Sequence, residues 1–188
     1  MKNDYSSFKI MMVSSIVMLS CFVVSLDTTD DSIQVSAEST GLLVPQTTEQ
    51  SGNKTTEQSG NKTTLKVFID SLRGLVSKST ELTAKYQIEL GKWATKENDN
   101  STMISITDRY LPQFKELENE ANYLDVPTAQ ENIKESFIKS ISSEAASYEH
   151  FKNYLSSGNR TENDLSNDEF SLAFQYEQIY ATFLLKNR

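Results

Sequence analysis

From Leu65 onward apolar side chains recur at steps of three and four residues, the period of one face of an α-helix. Leu65, Phe68, Leu72, Leu75, Leu82, Tyr86 and Trp93 form the first stripe, with Ser79 and Glu89 as polar exceptions in the same frame. Met103, Ile106, Tyr110, Phe114, Leu117, Ala121 and Leu124 form the second. The third runs Ile133, Phe137, Ile141, Ala145, Tyr148, Phe151 and Leu155, and the fourth Phe170, Ala173, Tyr176, Tyr180, Phe183 and Leu184. No segment alternates strongly with period two, so no sheet is expected. The pattern predicts an all-α fold with helices at about 65–96, 102–124, 128–156 and 167–186. Short loops between amphipathic helices make sequential helices antiparallel neighbours, which gives an up-down-up-down four-helix bundle. A long extended coiled coil is the alternative architecture.

Local signals set the expected boundaries. Glu97-Asn98-Asp99-Asn100 ends the first helix, and Asp125-Val126-Pro127 closes the second. Pro112 removes a backbone donor inside the second stripe, so a kink or short break is expected there. Thr128-Ala129-Gln130-Glu131 and Ser166-Asn167-Asp168-Glu169 match the capping box, in which the first and fourth residues satisfy each other's backbone N–H groups. Gly158 follows Ser156-Ser157 as a left-handed stop for the third helix. Trp93 falls in the stripe of Leu82 and Tyr86 and is expected to be partly buried.

Residues 1–64 have a different texture. Lys2 and Lys9 precede an uncharged run from Ile10 to Leu26, diluted by Ser14, Ser15, Ser20 and Ser25. A signal-peptide apolar core is about 7–15 residues and a membrane-spanning helix about 17–25, so both a cleaved signal peptide and an N-terminal membrane anchor are open for residues 1–26. Met18-Leu19-Ser20-Cys21 resembles the lipobox of prokaryotic lipoproteins, although Leu19 is bulkier than that pattern prefers and Phe22-Val23-Val24 prolongs the apolar run. That resemblance implies lipid attachment at Cys21. Cations before the run and Asp27, Asp30 and Asp31 after it place the rest of the chain outside the cytoplasm by the positive-inside rule. Residues 27–64 carry a tandem TTEQSGNK repeat at 47–54 and 55–62, whose units hold no apolar side chain larger than a threonine methyl, and the larger aliphatics of the segment, Ile33, Val35, Leu42, Leu43 and Val44, keep no sustained period. Such a segment cannot bury enough surface to offset its ordering entropy, so 27–64 is expected to be a flexible polar linker ahead of the bundle domain at 65–188. Four N-x-[ST] sequons occur, two of them created by the one duplication, in a chain rich in Asn, Ser and Thr. They support no conclusion about glycosylation.

Charge and chemistry narrow the function classes. The formal net charge is −8, which argues against nucleic acid as a partner, since its binders need a basic footprint. One Cys excludes an intramolecular disulfide and a CxxC motif, and one His excludes a two-His metal centre. No GxSxG, P-loop or GxGxxG occurs, no cofactor is implied, and His150 reads as a helix-surface or boundary residue. Acids such as Glu116, Glu118, Glu120, Glu131, Glu135, Glu144 and Glu149 read as a solvated face. These absences point to a non-enzymatic interaction module, secreted or anchored at the outer face of a membrane, that binds a protein partner or itself. The membrane contact would run through the N-terminal segment if it is uncleaved or lipidated. The alternative is a small-ligand binder whose aromatic cleft lies between the third and fourth helices and is lined by Tyr148, Phe151, Tyr176 and Tyr180.

Overall fold

The computed structural model describes the backbone of residues 55–188 and the side chains from Thr64 onward. The apolar run, Cys21 and the first repeat copy lie outside the described residues. The described part is a helical bundle of four α-helices: α1 Thr55–Ala94, α2 Asn100–Asn122, α3 Glu131–Ser157 and α4 Arg160–Lys186. A 3-10 turn at Thr128–Gln130 leads into α3, and there is no strand among the described residues.

The stripes become the core as the sequence implies. Phe68, Leu72, Tyr86, Met103, Phe114, Phe137, Ile141, Tyr148 and Phe151 are almost completely buried. Each such side chain contributes about 1.5–3 kcal/mol on removal from water. α3 is the central element. It packs most extensively on α4 and then on α2, while α1 lies along α2. Aromatic rings stitch the helices together across the core. The Tyr86 ring lies 4.0 Å from that of Tyr148, Trp93 meets Phe151 edge-on at 5.0 Å, and Phe137 meets Tyr180 edge-on at 5.2 Å. The Trp93 indole N–H donates to Asn100 Oδ1 at 2.9 Å, so its one polar atom is satisfied at the edge of the core.

Four local expectations are corrected. α1 begins at Thr55, ten residues before the apolar period starts, so its backbone carries the second repeat copy. Once a helix is nucleated by a packed stripe, each further residue adds a hydrogen bond at low cost, and an apolar period is not needed to extend it. The short break expected at Pro112 is absent, since Pro112 sits inside a continuous α2. Both Pro112 and Asp108, whose carbonyl loses its donor, are on the exposed side, so the lost bond does not fall in the core. Neither capping box forms. Pro127 starts the 3-10 turn and no side-chain hydrogen bond caps either it or α3. α4 starts at Arg160, seven residues earlier than expected, with Asn159 Oδ1 accepting from Thr161 N–H at 3.1 Å. Gly158 at φ +69° turns the chain between α3 and α4 within two residues, so the polar stretch after it is already helix. Ser166 is therefore a fully buried mid-helix residue, its hydroxyl 3.2 Å from that of Ser147.

Candidate functional site: a buried acidic cavity

The residues expected to form an aromatic cleft do not share one cavity. Tyr148 and Phe151 are fully buried in the main core, against Tyr86 and Phe114 and against Trp93. Tyr176 is half-buried under the Lys139 ammonium, 5.5 Å from its ring centre. Of the four, Tyr180 alone lines the cavity described next.

That cavity, about 30 Å³, lies where α1, α3 and α4 converge. α1 contributes three hydroxyls, from Ser79, Thr80 and Thr83. α3 contributes Ser140 and Glu144. From α4 come Glu177 and Tyr180, with Phe170, Ala173 and Phe174 forming an apolar wall. The cavity exists because small polar residues occupy positions that large apolar ones fill elsewhere. Ser79 stands in the α1 stripe between Leu75 and Leu82, and Ser140 precedes Ile141 on α3.

Glu144 is the central group. It is buried at 8% exposure and accepts hydrogen bonds from Tyr148 O–H at 2.6 Å and Thr83 Oγ1–H at 2.7 Å. Both end on Oε1. Oε2 takes no hydrogen bond among the described residues. Every polar side-chain atom sealed from solvent there has a partner, so Oε2 faces the cavity. Burial pushes the Glu144 carboxyl up from its ordinary range, against the pull of its two hydrogen bonds. The same burial, reinforced by the Glu144 charge, raises the Tyr148 phenol. Glu177 is pushed up to about 7, first by burial and then by the charge of Glu144 across the cavity. Two carboxyl groups thus oppose each other, and among the described residues no Lys, Arg or His lines the cavity. Ser79, 7% exposed, also has no hydrogen-bond partner among the described residues. Tyr180 is raised by burial and then by Glu177, and its ring packs on Phe137.

Sequence reasoning placed Glu144 on a solvated face and did not single out Glu177. The signal for Glu144 was its register: it lies seven residues after Phe137 and four before Tyr148, on the apolar stripe itself. His150 is at the bundle surface, its Nδ1 2.8 Å from Glu162 Oε2. Among the described residues no group of three or more His, Cys, Asp or Glu is placed to hold a metal ion, and no helix is long and apolar enough to cross a membrane. No family model, curated protein or solved structure matches the chain.

Proposed function

We propose that this chain is an extracytoplasmic helical-bundle protein, secreted or held at the outer face of a membrane, that acts as a non-enzymatic interaction module. The run Ile10–Leu26 supports export, either as a signal peptide or as an anchor, with lipid attachment at Cys21 a third outcome. In this reading the segment from Asp27 to α1 spaces the bundle from the membrane. The four helices run up-down-up-down. Supporting this order, the end of α1 meets the start of α2 through Trp93 and Asn100, while Lys78 earlier on α1 reaches Glu120 near the end of α2 at 2.6 Å. Likewise Ser147 on α3 meets Ser166 on α4, and Ser140, further from the turn, meets Ala173.

The observation that carries the reading is a seam on α4. Leu165, Leu172, Tyr176, Ile179 and Phe183 follow one another at steps of seven, four, three and four residues. That is the spacing by which one helix presents a stripe to another. Ile179 is 45% exposed and Leu165 38%, while the other three are half-buried. The bundle covers this stripe only in part, and a helix from a partner protein or from a second copy would complete it. A photo-crosslinking residue in place of Ile179, in the full-length protein in its native cells, tests this. The expected result is a discrete adduct, either with a second copy or with one partner, that is lost when Leu165→Asp is added. No adduct from position 179, with an equal background from a crosslinker at exposed Glu116, would overturn the reading.

A further inference from the structure

We propose that the cavity between α1, α3 and α4 is a binding site for a primary ammonium group carried on an apolar stem. The proposal rests on the cavity and not on the α4 seam, to which Phe174 and Glu177 do not belong. An ammonium group has three N–H donors and no acceptor. The cavity offers three acceptors that no described protein group uses: Glu144 Oε2, the Glu177 carboxylate and the Ser79 hydroxyl. At about 30 Å³ the cavity is large enough to admit an –NH₃⁺ head, which is about the size of a water molecule. Buried carboxylates are ordinarily paired with a cation or hydrogen-bonded, and among the described residues no cation lines the cavity.

The wall selects among cations. Phe174 is 37% exposed and Phe170 half-buried, so the cavity opens beside two aromatic rings. A methylene stem packs on such rings, and their faces attract the charge it carries. A bare metal ion gains nothing from this lip. Calcium takes six to eight oxygens, more than the free acceptors named above supply. A quaternary ammonium has no N–H to donate to Oε2. The stem can belong to a free alkylamine or to a lysine side chain on a peptide, and the recognising chemistry is the same for both.

Ionisation of the two acids sets the pH dependence. From α1 only hydroxyls face them: Ser79, Thr80 and Thr83. From α3 the facing groups are Glu144 itself and Ser140, with Tyr148 behind Glu144. From α4 they are Glu177 and Tyr180. With no cation in this set, the ammonium affinity rises as pH rises through the range where Glu177 loses its proton, near 7.

Titration calorimetry of the full-length protein with n-butylammonium chloride at pH 8 tests the site. Nα-acetyl-lysinamide serves as the second arm, and tetramethylammonium and calcium chlorides as controls. Saturable binding of n-butylammonium is expected, weakened about tenfold or more by Glu177→Gln, weakened by Ser79→Ala, and weakened about tenfold at pH 5.5. Glu177 is at the rim, so a retained circular-dichroism melt separates lost binding from lost folding. Equal binding of the lysine derivative identifies a side-chain ligand, and binding of n-butylammonium alone a free amine. No saturable binding of either, equal binding of tetramethylammonium or calcium, or an unchanged affinity in folded Glu177→Gln would overturn the proposal.

Discussion

Tyr148 donates its phenolic hydrogen to Glu144 Oε1, 2.6 Å away and one turn back along α3, and both side chains are buried. The same oxygen holds Thr83 of α1, so a single carboxyl joins two helices and satisfies two buried hydroxyls. Glu144→Ala leaves both hydroxyls without that acceptor. A loss of about 2–4 kcal/mol in unfolding free energy is expected, since each stranded buried donor costs about 1–3 kcal/mol. Glu144→Gln keeps an acceptor and removes the buried charge. It is expected to match or exceed the native stability at pH 8. Urea unfolding of the two variants checks the contrast, and equal losses in both would show that the charge itself holds the helices.

Stability is expected to fall as pH rises from about 4.5 to 7. Glu177 has a native pKa near 7, raised by burial and by Glu144, against an ordinary value of 4.5. The native state then binds more protons than the unfolded state between these values. Its contribution is fully present below the unfolded pKa and is lost as pH rises through the folded one. Glu144, also raised, acts in the same direction. Asp70, Glu81, Asp99 and Glu162 are lowered by Lys66, by Lys85, by the Thr102 backbone N–H and by His150 respectively. They add stability that is lost only as pH falls through the acid range below about 4. The melting temperature should therefore peak near pH 4–5, and Glu177→Gln should flatten the slope above the peak. A native protein whose melting temperature rises from pH 5 to pH 7 would contradict this.

Trp93 meets Phe151 at an interplanar angle of 83° and is 8% exposed. Trp93→Ala opens a cavity between α1 and α3 and strands Asn100, so a cost of about 3–5 kcal/mol is expected. Trp93 is the sole tryptophan, which makes native fluorescence a direct readout. Emission should be blue-shifted from that of free tryptophan and should shift red on unfolding, in one transition for the fragment 64–188.

The helical stripes were legible because burial and period coincide: Phe68, Leu72, Tyr86 and Trp93 are in the core where the three- and four-residue steps place them. Boundaries were less legible because they depend on what packs nearby. Ser166 carries every local feature of a cap, yet the two-residue turn at Gly158 starts α4 early enough to place it mid-helix. The acidic cavity was hidden for a related reason. Composition assigns Glu to solvent, and only the register of Glu144 between Phe137 and Tyr148 reveals that its helix face is the buried one. The convergence of Ser79, Glu144 and Glu177 from three helices is a tertiary fact that no spacing along the chain encodes.

Two glycine substitutions separate helix propensity from turn geometry. Gly74 is an exposed residue inside α1, and nothing lies within 4 Å of an added Cβ. Gly74→Ala restricts the unfolded chain and fits the helix, so it is expected to stabilise by about 0.5–1 kcal/mol. Gly158 has equal room around it, but its φ is +69°. Its N–H donates to the Tyr154 carbonyl at 2.8 Å, which fixes it as the left-handed cap of α3. An added Cβ there meets its own backbone and costs about 1–2 kcal/mol. Gly158→Ala should therefore destabilise although it touches no neighbour. It should also act at the α3–α4 turn, with hydrogen exchange accelerating first in residues 155–162. If both substitutions shifted the melting temperature in the same direction, the short turn that starts α4 at Arg160 would not be under the backbone control described above.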